Sequence, residues 1–179
     1  MKAWNHLKTI TNHKWLVMKG CFKVGLYWQG ILHDLSKYMP TEFLVGCRYY
    51  QGVASPNNLE RRAKGYSLAW LHHKGRNKHH MEYWIDYGLG NDRSMVGMKM
   101  PLRYVVEMFI DRVSAAKNYQ KENYTDKSPW NYYENGRKFQ MMHQDTRKLL
   151  EKLLLMLAEK GEDTTYQYIK QVLLKQKSY

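Results

Sequence analysis

The stretch "PLRYVVEMFIDRVSAAKNY", residues 101–119, decides the fold. Val105, Phe109 and Val113 recur every four residues, the spacing of one helix face; a strand would alternate every second residue. Pro101 fits the first turn of this helix. The same pattern extends outward in both directions. "KFQMMHQDTRKLLEKLLLMLAEKG", residues 138–161, is the clearest helix of the chain, closed by Gly161. Asp163 is placed to cap a last helix, "TTYQYIKQVLLKQ", and Ser128-Pro129 to open a short one. Towards the N-terminus, residues 5–19 and 22–33 read as two helices. Pro40 followed by Thr41 as N-cap starts a third, and Asn57 or Asn58 caps "LERRAKGYSLAWLHH". Segments 51–57, 74–79, 87–100 and 119–128 are irregular, and no alternating strand pattern emerges. The expected fold is all-α: a single-domain helical bundle, with a core over residues 1–125 and a C-terminal helical extension over 126–179 packed on it.

The chain has 179 residues, of which 44% are hydrophobic, enough for one real core. No run of 18 apolar residues occurs, so no membrane-spanning helix is expected. "MKAWNHLKTITNHKW" lacks the apolar centre and cleavage site of a signal peptide. The two cysteines, Cys21 and Cys47, form no CxxC pair, which argues for a reducing, cytoplasmic setting. A net charge of +13 favours anionic partners: a nucleotide, nucleic acid or a membrane surface. Its cations are spread along the chain, so a generally basic, solvated surface is the plainer alternative. The leucine-rich helix near 149–157 suits a core or a dimer interface, so an oligomer is compatible with the sequence.

Half of the eight histidines lie in "WLHHKGRNKHHMEYW": His72, His73, His79 and His80. The doublet His33-Asp34 stands at the predicted end of an apolar helix, in "ILHDLSKYMPTEF". Asp111 interrupts the apolar run "MFIDRV". An aspartate there is costly to bury without a cation, which a metal ion can supply, or Arg112 or a lysine. Imidazole and carboxylate together suit iron, manganese, zinc or nickel. His13, on the first helix, completes the order His, His-Asp, His, His-His, Asp. His6 and His143 have no patterned partners and read as structural. The histidine-rich stretch can also be an adventitious metal binder. The aromatic segment "YQKENYTDKSPWNYY", residues 119–133, can stack bases or pack a cap onto the core.

In these residues the chain resembles the HD-domain superfamily of metal-dependent phosphohydrolases over about residues 10–120. The matching pieces are His13 in "NHKWLV", "ILHDLSK", "HHKGRNKHH" and Asp111 in "FIDRV". "HDLSKYMPTEF" followed by "NKHHMEYW" is also similar to a small uncharacterised bacterial and phage family of this group. The several histidines resemble the multi-metal HD-GYP phosphodiesterases, but the Gly-Tyr-Pro signature is missing, so cyclic-dinucleotide specificity does not carry over. The resemblance implies one or two divalent ions. His13, His33, Asp34 and Asp111 would form one set, and His73, His79 and His80 would hold a second ion with Asp34 bridging. Consecutive helical residues point ~100° apart, so one of His72 and His73 faces inward, and periodicity does not say which. Asp34, Lys37 and Arg76 are the expected catalytic and phosphate-contacting residues, and Glu82 can orient a ligand histidine.

Three functions follow as expectations. The first is a phosphohydrolase in which a metal-activated hydroxide attacks a nucleotide monoester or a linear or cyclic diester. The second is a di-iron oxygenase of the inositol-oxygenase type, which needs the same ligands. The third is a basic module that binds nucleotide or nucleic acid without turnover.

Overall fold

The computed structural model describes residues 1–90, 94–176 and 179. Among these residues it has eight α-helices: α1 (Lys2–Val24), α2 (Tyr27–Leu32), α3 (Pro40–Tyr49), α4 (Pro56–Lys64), α5 (Leu68–Lys74), α6 (Leu102–Gln120), α7 (Ser128–Gly136) and α8 (Gln144–Gln171). The chain is therefore all-α, as the periodicity predicts. One departure is a small antiparallel ribbon pairing β1 (Ile85–Tyr87) with β2 (Met95–Gly97), in a region read as irregular or left unassigned. Three residues per strand are too few to show alternation.

Helix α1 is longer than its sequence reading and absorbs the start of the expected second helix. His6, Ile10, His13, Val17, Cys21 and Val24 recur three or four apart and are buried, so one face is continuous from end to end. Gly20 does not break it. A side chain there would meet Ile110 Cγ2 at 2.6 Å, so this glycine lets α6 approach closely. The helix ends instead at Gly25, whose φ of 88° turns the chain and whose N–H returns to Cys21 O. The stretch read as one helix over 59–73 divides for the same reason, at Gly65 with φ 80°. Ser67 then caps α5 by accepting from the Trp70 N–H.

The caps shift by a residue or two. Pro40 and Pro56 take the first helical positions, with Met39 and Ser55 as N-caps in place of Thr41 and Asn57 or Asn58. His143 caps α8, its Nδ1 accepting from the Asp145 N–H. Gly161 breaks the regular geometry of α8 with φ 79° and ψ 172°, and the helix resumes directly, not from a cap at Asp163.

The core lies between α1, α6, α7 and α8. Val17, Val105, Phe109, Leu150 and Leu154 are completely buried within it. Helix α3 packs against the N-terminal part of the same buried face of α1, where Gly46 faces His6. A Cβ at residue 46 would stand 2.0 Å from His6 Nε2, and His6 is itself packed against Phe43 and Tyr50. Gly46→Ala is expected to destabilise the fold by about 1–3 kcal/mol, as overpacking does. A lowered midpoint in urea at unchanged slope checks this; an unchanged midpoint would mean that α3 shifts freely.

Candidate metal centre

The centre is assembled from five places in the chain. His13 comes from the middle of α1. Lys14, its neighbour, donates from Nζ to Ile31 O at 2.7 Å and His33 O at 2.8 Å, tying down the end of α2. His33 ends α2, and Asp34 follows in the left-handed conformation, φ 54° and ψ 25°. Only a few non-glycine residues adopt this geometry, and aspartate is among the more tolerant. The turn sets His33 and Asp34 side by side. His73 lies in the last turn of α5, His79 and His80 return from the loop behind it, and α6 supplies Asp111.

Asp34 is the pivot. Its Oδ1 lies 3.3 Å from His73 Nε2 and 3.4 Å from His79 Nε2. Its Oδ2 lies 3.2 Å from His33 Nε2 and 3.7 Å from His13 Nε2. Asp111 Oδ1 joins the second side, 2.9 Å from His13 Nε2 and 3.4 Å from His33 Nε2. His80 Nε2 joins the first, 2.9 Å from His73 Nε2. Two groups result, Asp34 with His73, His79 and His80, and Asp34 with His13, His33 and Asp111. Within each, one donor atom per residue lies within 4.8 Å of all the others.

These separations fit a shared ion. Donors ~2.1 Å from one ion stand about 3.0–3.4 Å apart at right-angled or tetrahedral geometry. His33 Nε2, His79 Nε2 and Asp34 Oδ1 are buried and lack a hydrogen-bond partner, whereas Asp34 Oδ2 meets Lys37 Nζ at 2.6 Å and His13 Nε2 meets Asp111 Oδ1 at 2.9 Å. Buried polar atoms are normally satisfied, and a cation would satisfy the three orphans that converge here. Each group can hold a metal ion.

A ring of carboxylates fixes the imidazoles from behind. Glu107 Oε1, buried on α6, accepts from His33 Nδ1 at 2.9 Å and from His79 Nδ1 at 3.1 Å. Glu42, on α3, accepts from His73 Nδ1 at 2.8 Å and from His72 Nδ1 at 2.6 Å. A carboxylate only accepts, so these rings carry a proton on Nδ1, and in the neutral form of His33, His73 and His79 the Nε2 lone pair faces inward. His33, His79 and Glu107 also cluster tightly, but those contacts are satisfied hydrogen bonds, and the trio supports the centre without forming another. Ser36 Oγ and Asn77 Nδ2 close the ring beside His73, 2.9 Å from each other. Glu42→Gln is expected to weaken the His73 side alone, by about 10–100-fold in metal affinity. A chelator competition should then show one weakened and one unchanged equivalent; equal weakening of both would contradict the division.

The carboxylates dominate the local field: against burial, Asp34, Asp111 and Glu107 raise His33 well above its ordinary value, and Asp34 and Glu107 raise His79 against burial and the neighbouring His33. Burial works against a charge on Asp34, yet His33, Lys37 and His73 outweigh it and hold the carboxyl well below its usual range. Asp111 is held well below it too, against burial, by His13 and His33. Burial, with His79 and His73 adding to it, pushes His80 well below the ordinary imidazole value, leaving it a neutral ligand. The centre is thus ionised at its carboxylates and neutral at His80.

The seven expected ligands come together: His13, His33, Asp34, His73, His79, His80 and Asp111. Of the doublet, His73 faces inward and His72 turns to Glu42. Lys37 Nζ stands 2.6 Å from Asp34 Oδ2, with 28% of its side chain exposed. Arg76 reaches His72 O at 3.4 Å and lines a cleft with Trp28, Arg103, Glu107 and the candidate ligands His33 and His79. The histidine-orienting part expected of Glu82 falls to Glu42 and Glu107, while Glu82 lies close enough to Arg112 to act on its charge. Arg112 leaves Asp111 to His13 and bonds Gln140 Oε1 at 3.3 Å. The Glu107 signal was present in the sequence, four residues before Asp111 on the same helix face.

Fold and site together define a helical bundle with a buried histidine–aspartate centre able to hold metal. The chain belongs to a family described as a family of unknown function (DUF5662), whose model matches residues 2–156 and so takes in all seven candidate ligands, Glu42 and Glu107. No curated protein and no solved structure matches the chain. Among the described residues no helix is long and apolar enough to cross a membrane.

Proposed function

We propose that this protein is a divalent-metal-dependent phosphohydrolase of the HD type. Its substrate is a nucleotide, either a phosphomonoester or a linear or cyclic phosphodiester. Two ions, of iron, manganese, zinc or nickel, occupy the two groups. The observation that carries this is the division of Asp34: each carboxylate oxygen faces a different set of imidazoles, as in a carboxylate that bridges two ions. When bound, such ions lower the pKa of water towards neutrality and neutralise phosphate charge.

The chain's own residues supply the rest. Lys37 is the anion-contacting residue. Burial opposes its charge, but Asp34 and Asp111 more than restore it, so the amine stays cationic at neutral pH. It borders the centre and remains partly exposed, where an incoming phosphate oxygen can take over part of its contact with Asp34. Glu42 and Glu107 hold the imidazoles in place throughout. Arg76, in a cleft lined also by His33, His79 and Glu107, is a second cation placed to contact the substrate's phosphate.

The test is a hydrolysis panel of nucleoside monophosphates, triphosphates and cyclic nucleotides on metal-loaded protein, with oxygen uptake followed in parallel. Phosphate-ester cleavage that disappears with a chelator is expected. Lys37→Ala should keep its metal and lose about 100-fold in kcat/KM, the scale for removing one preorganised charge contact. Oxygen consumption without ester cleavage would replace the hydrolase by the oxygenase. Tight, salt-sensitive nucleotide binding with no turnover would replace it by the binding module.

A further inference from the structure

Away from the centre, the outer face of α1 carries an unusual stripe. Trp4, Lys8, Thr11, Trp15, Lys19 and Phe22 recur at helical spacing on the side opposite the buried residues. Trp4 is 60% exposed and Trp15 50%, and about 16 Å of helix separates them. Lys8 lies over the Trp4 ring at 5.2 Å and Lys19 over Trp15 at 5.1 Å. The stripe continues onto α2, because Phe22 meets Tyr27 edge-on at 5.2 Å. There Trp28 is 72% exposed and Leu32 56%, with Ile31 beside them. Gly30 faces α1, so Trp28 and Leu32 point outward.

The charge of this region is one-sided. No Asp or Glu precedes Asp34, which is buried, whereas Lys2, Lys8, Lys14, Lys19 and Lys23 all do. Lys23 turns away to Glu162 and Asp163 on α8. Among the described residues, Lys8 and Lys19 have aromatic partners and no acidic one. An exposed aromatic and aliphatic patch set among unpaired lysines marks a contact surface.

We infer that this face docks on an anionic phospholipid surface. Tryptophan and tyrosine suit the headgroup level, leucine and isoleucine the acyl boundary, and lysine stems can snorkel to the phosphates. A second copy of the chain would set Lys8 and Lys19 against their own equivalents with no acid between them. Single-stranded nucleic acid would use the rings and lysines but not Ile31 and Leu32. Docking is peripheral, since the opposite face of α1 is committed to the core.

The test uses metal-loaded, full-length protein with vesicles of phosphatidylcholine alone or mixed with an equal part of phosphatidylglycerol. Co-sedimentation is expected only with the mixed vesicles, with loss at high salt, and brominated acyl chains should quench tryptophan emission. Lys8→Ala with Lys19→Ala should weaken binding about 25-fold, about fivefold for each lysine. Trp4→Ala with Trp15→Ala, both exposed, should weaken it at least about tenfold while leaving metal content unchanged. Failure to bind mixed vesicles overturns the inference. So does quenching that neither variant alters. Stronger binding to an oligonucleotide, lost in both variants, would assign the face to nucleic acid, and a dimer that both variants dissolve would assign it to a second copy.

Discussion

Asp34→Ala is expected to remove both metal ions at once. Untagged wild-type protein should carry up to two equivalents of iron, manganese, zinc or nickel, and the variant none. The reason is geometric: Oδ1 serves His73 and His79, Oδ2 serves His33 and His13, and no other carboxylate belongs to both groups. Asp111→Ala and His80→Ala, each confined to one group, should leave one ion in place. Stability follows occupancy. An ion present at ~1,000 times its Kd adds about 4 kcal/mol to a native state that alone binds it. Wild type should therefore show a metal-dependent rise in unfolding midpoint that Asp34→Ala lacks. Wild-type protein that stays metal-free after incubation with all four ions, its midpoint unmoved, would remove the metal centre from consideration.

Glu107→Ala should reach both ions without being a ligand. Its Oε1 holds His33, of one group, and His79, of the other. Losing it frees two buried imidazole N–H groups and the rings that carry them. A partner of this kind is worth about 10–100-fold in metal affinity, and here the loss is expected at both equivalents. Each N–H left unsatisfied costs a further ~1–3 kcal/mol of stability. Glu107→Gln, which keeps one accepting oxygen but no charge, should fall between the two. Titration against a chromogenic chelator separates these outcomes from Glu42→Gln, where one equivalent alone should weaken. Native affinity at both positions in Glu107→Ala would mean that the rings are held by packing and not by the carboxylate.

The glycines show how far sequence reading reaches. Gly20 and Gly65 both interrupt helical patterns in the sequence. Gly65 ends α4 because its φ is 80°, whereas Gly20 stays helical because Ile110 needs the space. Only the neighbouring helix distinguishes these cases. The same holds for His72 and His73, which are adjacent and chemically identical. Their roles separate when α3 brings Glu42 to both Nδ1 atoms and leaves only His73 pointing at Asp34. Glu42 is a single acid in a helix with no motif around it, and Glu107 is marked only by its place four residues before Asp111.

What the sequence by itself determined is what local spacing encodes: the helices around Val105 to Val113 and Leu149 to Leu157, the doublet His33-Asp34, the histidine-rich turn, and a lone Asp111 in an apolar run. Periodicity and residue chemistry are properties of neighbours in the chain, so they can be read there. The tertiary structure alone decided which atoms meet. It sets Asp34 between two histidine groups, gives Glu107 to two rings at once, and turns His73 and not His72 towards Asp34. These are long-range juxtapositions, created when α1, α3, α5 and α6 pack together, and no local stretch of sequence contains them.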